Sequence, residues 1–317
     1  MPMTRTNVAE GAARAASSRP PRTRQRGVIL LFVGPFVALF LFVFAAPIVY
    51  SAVESLYSRR ASGLGLGGAK LTFVGLDNFR QVLTDTVFTR GVGRVFLFGV
   101  IQIPVMLIGA LALALLLDSV AARGVSAFRA AFFLPYALPG SVAALLWAYL
   151  YIPQLSPYSA VLSRLGLQVQ FLGPSTVLWA IANITTWTYT GYNMLIIYAS
   201  LKAISPDLYE AARIDGAGEW SIALRIKVPA VRNALVLSGV LSIIGTLQLF
   251  TEPTILQSIS TTVDINYTPT MFAFNAAFTS DDTGLASAAS LVIAVMAGIL
   301  SVIYYRVAQR DRSGNVR

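Results

Sequence analysis

Few side chains in this sequence could carry chemistry, and their positions narrow what that chemistry is. There are no histidines and no cysteines, which removes imidazole bases, thiolate nucleophiles, disulfides and the usual zinc ligands. Glu252 is the only acid well inside an apolar stretch, and Gln248 lies one helical turn before it. A carboxylate at membrane depth is costly and marks a functional position by default. It could accept hydrogen bonds from substrate hydroxyls, pair with an arginine of a neighbouring chain, or lie at the level of the outer headgroups. Asn183, Thr186, Thr190 and Asn193 recur at intervals of 3, 4 and 3, which places them on one helical stripe. Trp187 and Tyr192 lie close to the same side. Amides that bond hydroxyls, beside rings that cover the apolar face of a pyranose, suit a sugar. Hydrogen bonding from helix to helix would use the same residues. No carboxylate pair falls inside the apolar stretches, so no acid–base or nucleophilic centre can be assembled there. We therefore expect a chain with no catalytic residues, no metal ligands and no cofactor of its own.

The longest mixed-charge segment after the amino-terminal arm is YEAARIDGAGEWSIALRIKVPAVRN, Tyr209 to Asn233. Pro206-Asp207 reads as a helix start, with Glu210 in the first turn, where an acid complements the helix dipole. Ala211 and Ala212 favour helix and leave a low surface that another backbone can approach. Asp215-Gly216 is a turn signal, since glycine takes a positive φ without strain. Trp220, Leu224 and Val228 then recur every four residues, and Pro229 ends the run. The spacing predicts two short helices around a turn; an ordinary interfacial helix would fit equally well.

These groups must be positioned by membrane spans. The composition is 56% hydrophobic and 12% charged, against about 25% charged in soluble domains. Stretches long enough for a bilayer core of roughly 20 helical residues occur at Val28–Tyr50, Val95–Leu117, Ala130–Ile152, Val177–Ala199, Ala234–Leu256 and Leu285–Tyr305. An all-α membrane protein with six transmembrane helices is expected. Pro35, Pro104, Pro135, Pro139 and Pro253 are expected to kink these helices, with neighbours satisfying the freed carbonyls. Ala294 with Gly298, and Ala297 with Ser301, have the small-xxx-small spacing of close helix packing. Residues 1–27 are expected to form a disordered basic arm, 51–94 an extracytoplasmic segment, 95–305 a five-helix core with a polar loop at 200–233, and 306–317 a tail. The glycine-rich centre Gly63–Gly68 is followed by Ala69-Lys70, so it lacks the Gly-Lys-Ser/Thr of a phosphate-binding loop and reads as a flexible connection. FVGLDNFRQVL, Phe73 to Leu83, reads as a short amphipathic helix at the membrane surface. The net charge of +10 is distributed beside the spans, as membrane topology and anionic lipid require, rather than as a nucleic-acid patch. With both termini inside, 17 of the 24 lysines and arginines fall on the inner side and 6 outside, with Arg94 on a boundary. That balance puts Tyr209–Asn233 in the cytoplasm.

At Glu210, Ala211, Ala212, Asp215, Gly216, Ala217, Trp220, Ile226 and Pro229 the chain resembles the signature of binding-protein-dependent ABC importer permeases. GLDNF (Gly75–Phe79), FFLPYALP (Phe132–Pro139) and LFTEP (Leu249–Pro253) resemble the sugar-permease branch, with its maltose-type and glycerol-phosphate-type importers. The resemblance covers about 28–305 and implies a type I importer permease core. It makes Tyr209–Asn233 a coupling helix, docked on a separate cytoplasmic ATPase that uses ATP and Mg. It further implies a second permease subunit, two ATPase subunits, an extracytoplasmic substrate-binding protein and residence in a prokaryotic plasma membrane. The substrate implied is a sugar or oligosaccharide moved by alternating access. A glycerol-phosphate-type diester is the alternative, and a secondary transporter is a more distant one. Asn183, Thr186, Trp187, Thr190, Asn193, Gln248 and Glu252 are the candidate substrate path. The chain departs from the family at Ala223 for Phe, Val228 for Leu, Asn233 for a second Pro, and at Leu256–Ser260, where a Thr-x-Gly-Gly-Pro turn is often found.

Overall fold

A computed structural model describes residues 22–61, 69–166 and 169–310. The arm before residue 22, the whole glycine-rich centre and the tail beyond residue 310 lie outside these. The chain divides into two compact units, residues 1–53 and 54–317. In the first, α1 (Arg22–Phe40) runs through a π-helical turn (Leu41–Ala45) into α2 (Ala46–Glu54). It therefore starts six residues before the expected span. Its span, Leu31–Glu54, has no residue buried in its most apolar window, and Phe36, Phe40 and Phe44 stack along one side. Such a helix, apolar all round, is built for a lipid or protein environment.

The second unit is organised along α4 (Thr86–Leu117), which packs most extensively against α8 (Val177–Lys202). Three apolar clusters succeed one another along α4. The first joins Val95 and Phe88 to Leu285, Ala288 and Ala289 of α15 (Thr283–Arg310). The second joins Phe98 to Ile181, Ile184 and Leu256. The third joins Ala110 and Ala114 to Met194, Ile197 and Val231. Each lies where α4 presents a small or aromatic residue every third or fourth position, the spacing that turns one helical face inward.

Among the described residues, four helical segments are long and apolar enough to cross a membrane: Leu31–Glu54, Thr86–Leu117, Arg232–Gln257 and Thr283–Gln309. A fifth is a bent pair. α8, at 26 residues, has the length, but its asparagines and threonines lower its hydropathy. The third expected span is not one kinked helix. α5 (Val125–Ala137) and α6 (Gly140–Tyr151) meet at 92°. Pro139 sits at the N-cap of α6 with an extended ψ of 134°, and the residue before a proline is itself disfavoured in the helical region. Leu138 and Pro139 thus break the helix where a bend was expected. The fifth span is also interrupted, between α12 (Arg232–Leu247) and α13 (Thr251–Gln257). Pro253 lies in the first turn of α13, where its missing N–H costs nothing; it marks a helix start. Thr268 and Thr270 donate hydroxyl hydrogen bonds to the carbonyls of Leu249 (2.8 Å) and Leu247 (3.1 Å) at that break. A neighbouring segment thereby satisfies freed backbone groups in an apolar setting.

The connection after α2 is not a loop throughout. β1 (Tyr57–Ala61) and β2 (Ala69–Phe73) pair antiparallel, with Tyr57 opposite Phe73. The helix expected at Phe73–Leu83 is α3 (Asp77–Thr84), and it is buried rather than superficial at two positions. Val82 enters the first cluster, and Asn78 donates to the carbonyls of Ser55 and Tyr57, both at 2.8 Å. Gly284 lies against this platform: a Cβ there would overlap the Tyr57 carbonyl and sit 2.9 Å from Asn78 Nδ2. Close packing in α15 is made by Gly284, Ala288, Ala289 and Ala297, with Ser301 half-buried, while Ala294 and Gly298 are exposed. The opposite end of α15 meets Arg232, which donates to the Ala308 carbonyl.

Candidate functional site

Two places in the second unit could serve a function, and the interrupted helices position the first. A cavity of about 280 Å³ opens between α4, α5, α8 and the α12–α13 break. Tyr136 of α5 stacks on Tyr192 of α8, centroids 4.6 Å apart, and meets Tyr189 edge-on at 5.8 Å. Polar atoms come from Gln102, Thr185, Asn193, Ser242, Thr246, Gln248, Thr251 and Glu252. Asn193 is buried; its Nδ2 donates to the Tyr189 carbonyl at 3.0 Å, and its Oδ1 has no hydrogen-bond partner among the described residues. A buried unpaired amide oxygen costs about 1–3 kcal/mol, so a ligand hydroxyl donating to it would recover that loss. Glu252 is 7% exposed and no described cation pairs with it. Among the described residues, no lysine or arginine lines the cavity.

The polar stripe of α8 divides. Asn193 reaches the cavity, as do Gln248 and Glu252. Asn183, Thr186, Trp187 and Thr190 do not line it. Asn183 donates to the Tyr151 hydroxyl (2.9 Å), Gln102 donates to Thr186 Oγ1 (3.3 Å), and Thr190 donates back to the Thr186 carbonyl (2.5 Å). Trp187 packs edge-on against Trp147 at 5.8 Å. The reason is angular: the stripe faces the neighbouring helices that clasp α8, and the cavity lies one step round at Thr185, Tyr189 and Tyr192. Asn183 and Thr186 thus bond from helix to helix, Trp187 packs against a neighbouring helix, and Thr190 bonds within α8 itself. Gln102 and Tyr136 were missed because each sits in an apolar stretch with no periodic signal. Only the juxtaposition of α4, α5 and α8 reveals them.

The second place is the hairpin between α8 and α12. α9 (Pro206–Ile214) ends at Asp215, and Gly216 takes φ +84°. Gly216 N–H donates to the Arg213 carbonyl and Ala217 N–H to the Ala212 carbonyl, 3.0 and 2.9 Å, closing the helix as a left-handed glycine cap does. Arg213 bridges Glu219 across the turn at 2.9 Å. α10 (Glu219–Ile222) then passes through a π-helical turn (Ala223–Lys227) into α11 (Val228–Ala230). The π turn breaks the four-residue rhythm, so Val228 leaves the stripe of Trp220 and Leu224. Ile222 is the anchor, fully buried, whereas Trp220 is 81% and Ile214 87% exposed. Glu210, Ala211, Asp215, Gly216 and Pro229 are exposed as well, and Ala212, Ala217 and Ile226 are half-buried. Large apolar side chains standing free beside small ones make a surface suited to a protein partner.

Comparison with known proteins agrees with this architecture. Residues 12–313 match the model of the binding-protein-dependent transport system inner membrane component family. A probable ABC transporter permease protein, YurN, of Bacillus subtilis is 31% identical over 278 residues, covering 86% of this chain and 93% of that protein. The lactose transport system permease protein LacF of Rhizobium radiobacter is 29% identical, covering 89% and 94%. The sn-glycerol-3-phosphate transport system permease protein UgpA of Agrobacterium fabrum is 28% identical, covering 88% and 94%. The crystal structure of a bacterial ABC transporter that imports the acidic polysaccharide alginate superposes with a TM-score of 0.76 at 20% identity, over 90% of this chain and 96% of that one. Its fold is the type I importer permease fold. With its buried interrupted helices and its exposed hairpin, this multi-pass membrane chain belongs to the binding-protein-dependent transport system inner membrane component family of ABC transporter permeases.

Proposed function

We propose that this chain is one transmembrane half of an ATP-driven importer for a neutral sugar or oligosaccharide. The observation that carries the substrate reading is the cavity wall. Stacked tyrosines lie beside Gln102, the unpaired Oδ1 of Asn193, Gln248 and Glu252. Amide and carboxylate oxygens accept from hydroxyls, and tyrosine faces cover the C–H face of a pyranose. A phosphodiester would instead call for arginine or lysine, and the lining supplies neither. The lactose permease relative is consistent with the same choice.

Hydrolysis of ATP belongs to a separate subunit, since no phosphate-binding loop occurs in the sequence. The hairpin 203–231, facing the cytoplasm together with both termini, docks on that subunit through Glu210, Ala211, Ala212, Asp215, Gly216, Ala217, Trp220, Ile226 and Pro229. Closure of two ATPase subunits moves the hairpin. α4 and α8 then rock against a second permease subunit, exchanging outward for inward access to the cavity. An extracytoplasmic binding protein delivers the substrate. Reconstitution of the complex in proteoliposomes tests the reading: ATP-dependent uptake of an oligosaccharide is expected. Asn193→Ala and Glu252→Ala should abolish that uptake while the subunits still co-purify. Uptake of a glycerol phosphodiester in place of any sugar would overturn the substrate assignment.

A further inference from the structure

At the hairpin end of the bundle, one buried carboxylate holds three elements together. Asp118 caps the carboxyl end of α4. Its Oδ1 lies 2.7 Å from Lys202 Nζ, at the last residue of α8, and its Oδ2 lies 2.6 Å from Lys227 Nζ, in the π turn. Lys227 also donates to the Asp118 carbonyl at 3.3 Å. The Asp118 and Lys227 side chains are 4% and 6% exposed, and Lys202 is 55% exposed. The Lys227 ammonium faces the Tyr209 ring at 4.9 Å, which brings α9 into the same cluster. The hydrogen bond that Lys202 donates to the Asp118 carboxylate raises the pKa of Lys202 above its ordinary value.

An acid at a helix carboxyl terminus opposes the helix dipole, so Asp118 is placed against its own helix and stabilised by the two lysines. Those lysines bracket the hairpin: the chain leaves the cluster at Lys202 and returns to it at Lys227. Among the described side-chain hydrogen bonds and ion pairs, those of Asp118 fasten the base of the hairpin to α4. The fastened helices, α4 and α8, carry Gln102, Tyr189 and Asn193 to the cavity.

We propose that Asp118 is a positioning residue for energy coupling, clasping the base of the hairpin so that a push on α9 moves α4 and α8 together instead of bending residues 203–226. The proposal rests on the hairpin being the ATPase-docking element. Its test is the complete importer in proteoliposomes, read as substrate transported per ATP hydrolysed. Asp118→Asn keeps size and hydrogen-bonding oxygen but loses the charge. The expected result is full co-purification of the ATPase and continuing ATP hydrolysis, with the transport-to-hydrolysis ratio down about tenfold or more and restored by Asp118→Glu. An unchanged ratio overturns the proposal. Where Asp118→Asn fails to assemble, Asp118→Asn with Lys227→Met leaves no buried unpaired ammonium. A ratio still about tenfold low in that pair supports the clasp, and a wild-type ratio shows that Asp118 serves stability alone. Failure of the wild-type chain to co-purify with an ATPase would instead remove the docking reading on which the proposal rests.

Discussion

Gly191 offers a quantitative test of how the cavity is held. It lies on α8 where α5 crosses, and a Cβ there would overlap the Phe132 carbonyl, 2.5 Å from its carbon and 3.1 Å from Phe133 Cα. Ordinary carbon contact begins near 3.5 Å, so Gly191→Ala must push α5 away by roughly 1 Å. The obstacle is backbone, which no rotamer change can clear. Overpacking of this kind costs about 1–3 kcal/mol, and we expect the upper half of that range. The same shift would part Tyr136 from Tyr192, stacked at 4.6 Å on the cavity wall, so substrate affinity should fall with stability. Gly109→Ala is the control, because its nearest neighbour, Thr190 Cγ2, is 3.9 Å away. Chemical unfolding of the purified complex, together with uptake at varied substrate concentration, measures both effects. Equal behaviour of the two variants would refute the packing argument.

Other substitutions separate the sites. Gly216→Pro should abolish ATP-driven uptake without loss of membrane insertion, because Gly216 holds φ +84° and proline is fixed near −65°; uptake assays decide. Trp220→Ala should release the ATPase subunit in pull-downs yet leave the thermal stability of the isolated chain unchanged, since the ring is 81% exposed. Ile222→Ala, at the buried anchor of the same hairpin, should destabilise by about 2–5 kcal/mol, read by unfolding. Asn183→Ala should lower stability more than substrate affinity, because its partner is the Tyr151 hydroxyl; a raised KM with unchanged stability would contradict this.

The spans and the hairpin were legible in the sequence because they rest on local signals. Charge-free stretches, a Pro-Asp helix start and an Asp-Gly turn each act within a few residues. The two breaks at Leu138–Pro139 and Gln248–Phe250 were less visible. A proline in an apolar run reads equally as a kink, a break or a helix start, and only the carbonyls that find partners decide which. The cavity lining was half legible. Glu252, Gln248 and Asn193 stood out as polar groups in apolar surroundings, but the direction of the α8 stripe depends on which neighbours clasp it. Gln102 and Tyr136 become cavity residues through packing between distant segments, and the place of Asp118 is set by its two lysines, 84 and 109 positions on. The pairing of β1 with β2 went unseen because glycines separate two short strands that carry basic residues.

The central claim is that the hairpin around Gly216 docks on an ATPase, and the absence of native cysteine makes it directly testable. Ala211→Cys and Trp220→Cys, placed singly in the complete transporter, can be cross-linked to cysteines introduced across the groove of the ATPase subunit. Val120→Cys serves as an exposed control outside the hairpin. The account predicts cross-links from positions 211 and 220 that change in yield with ATP, and none from position 120. Absence of cross-linking at 211 and 220 in a complex that hydrolyses ATP and transports would contradict it.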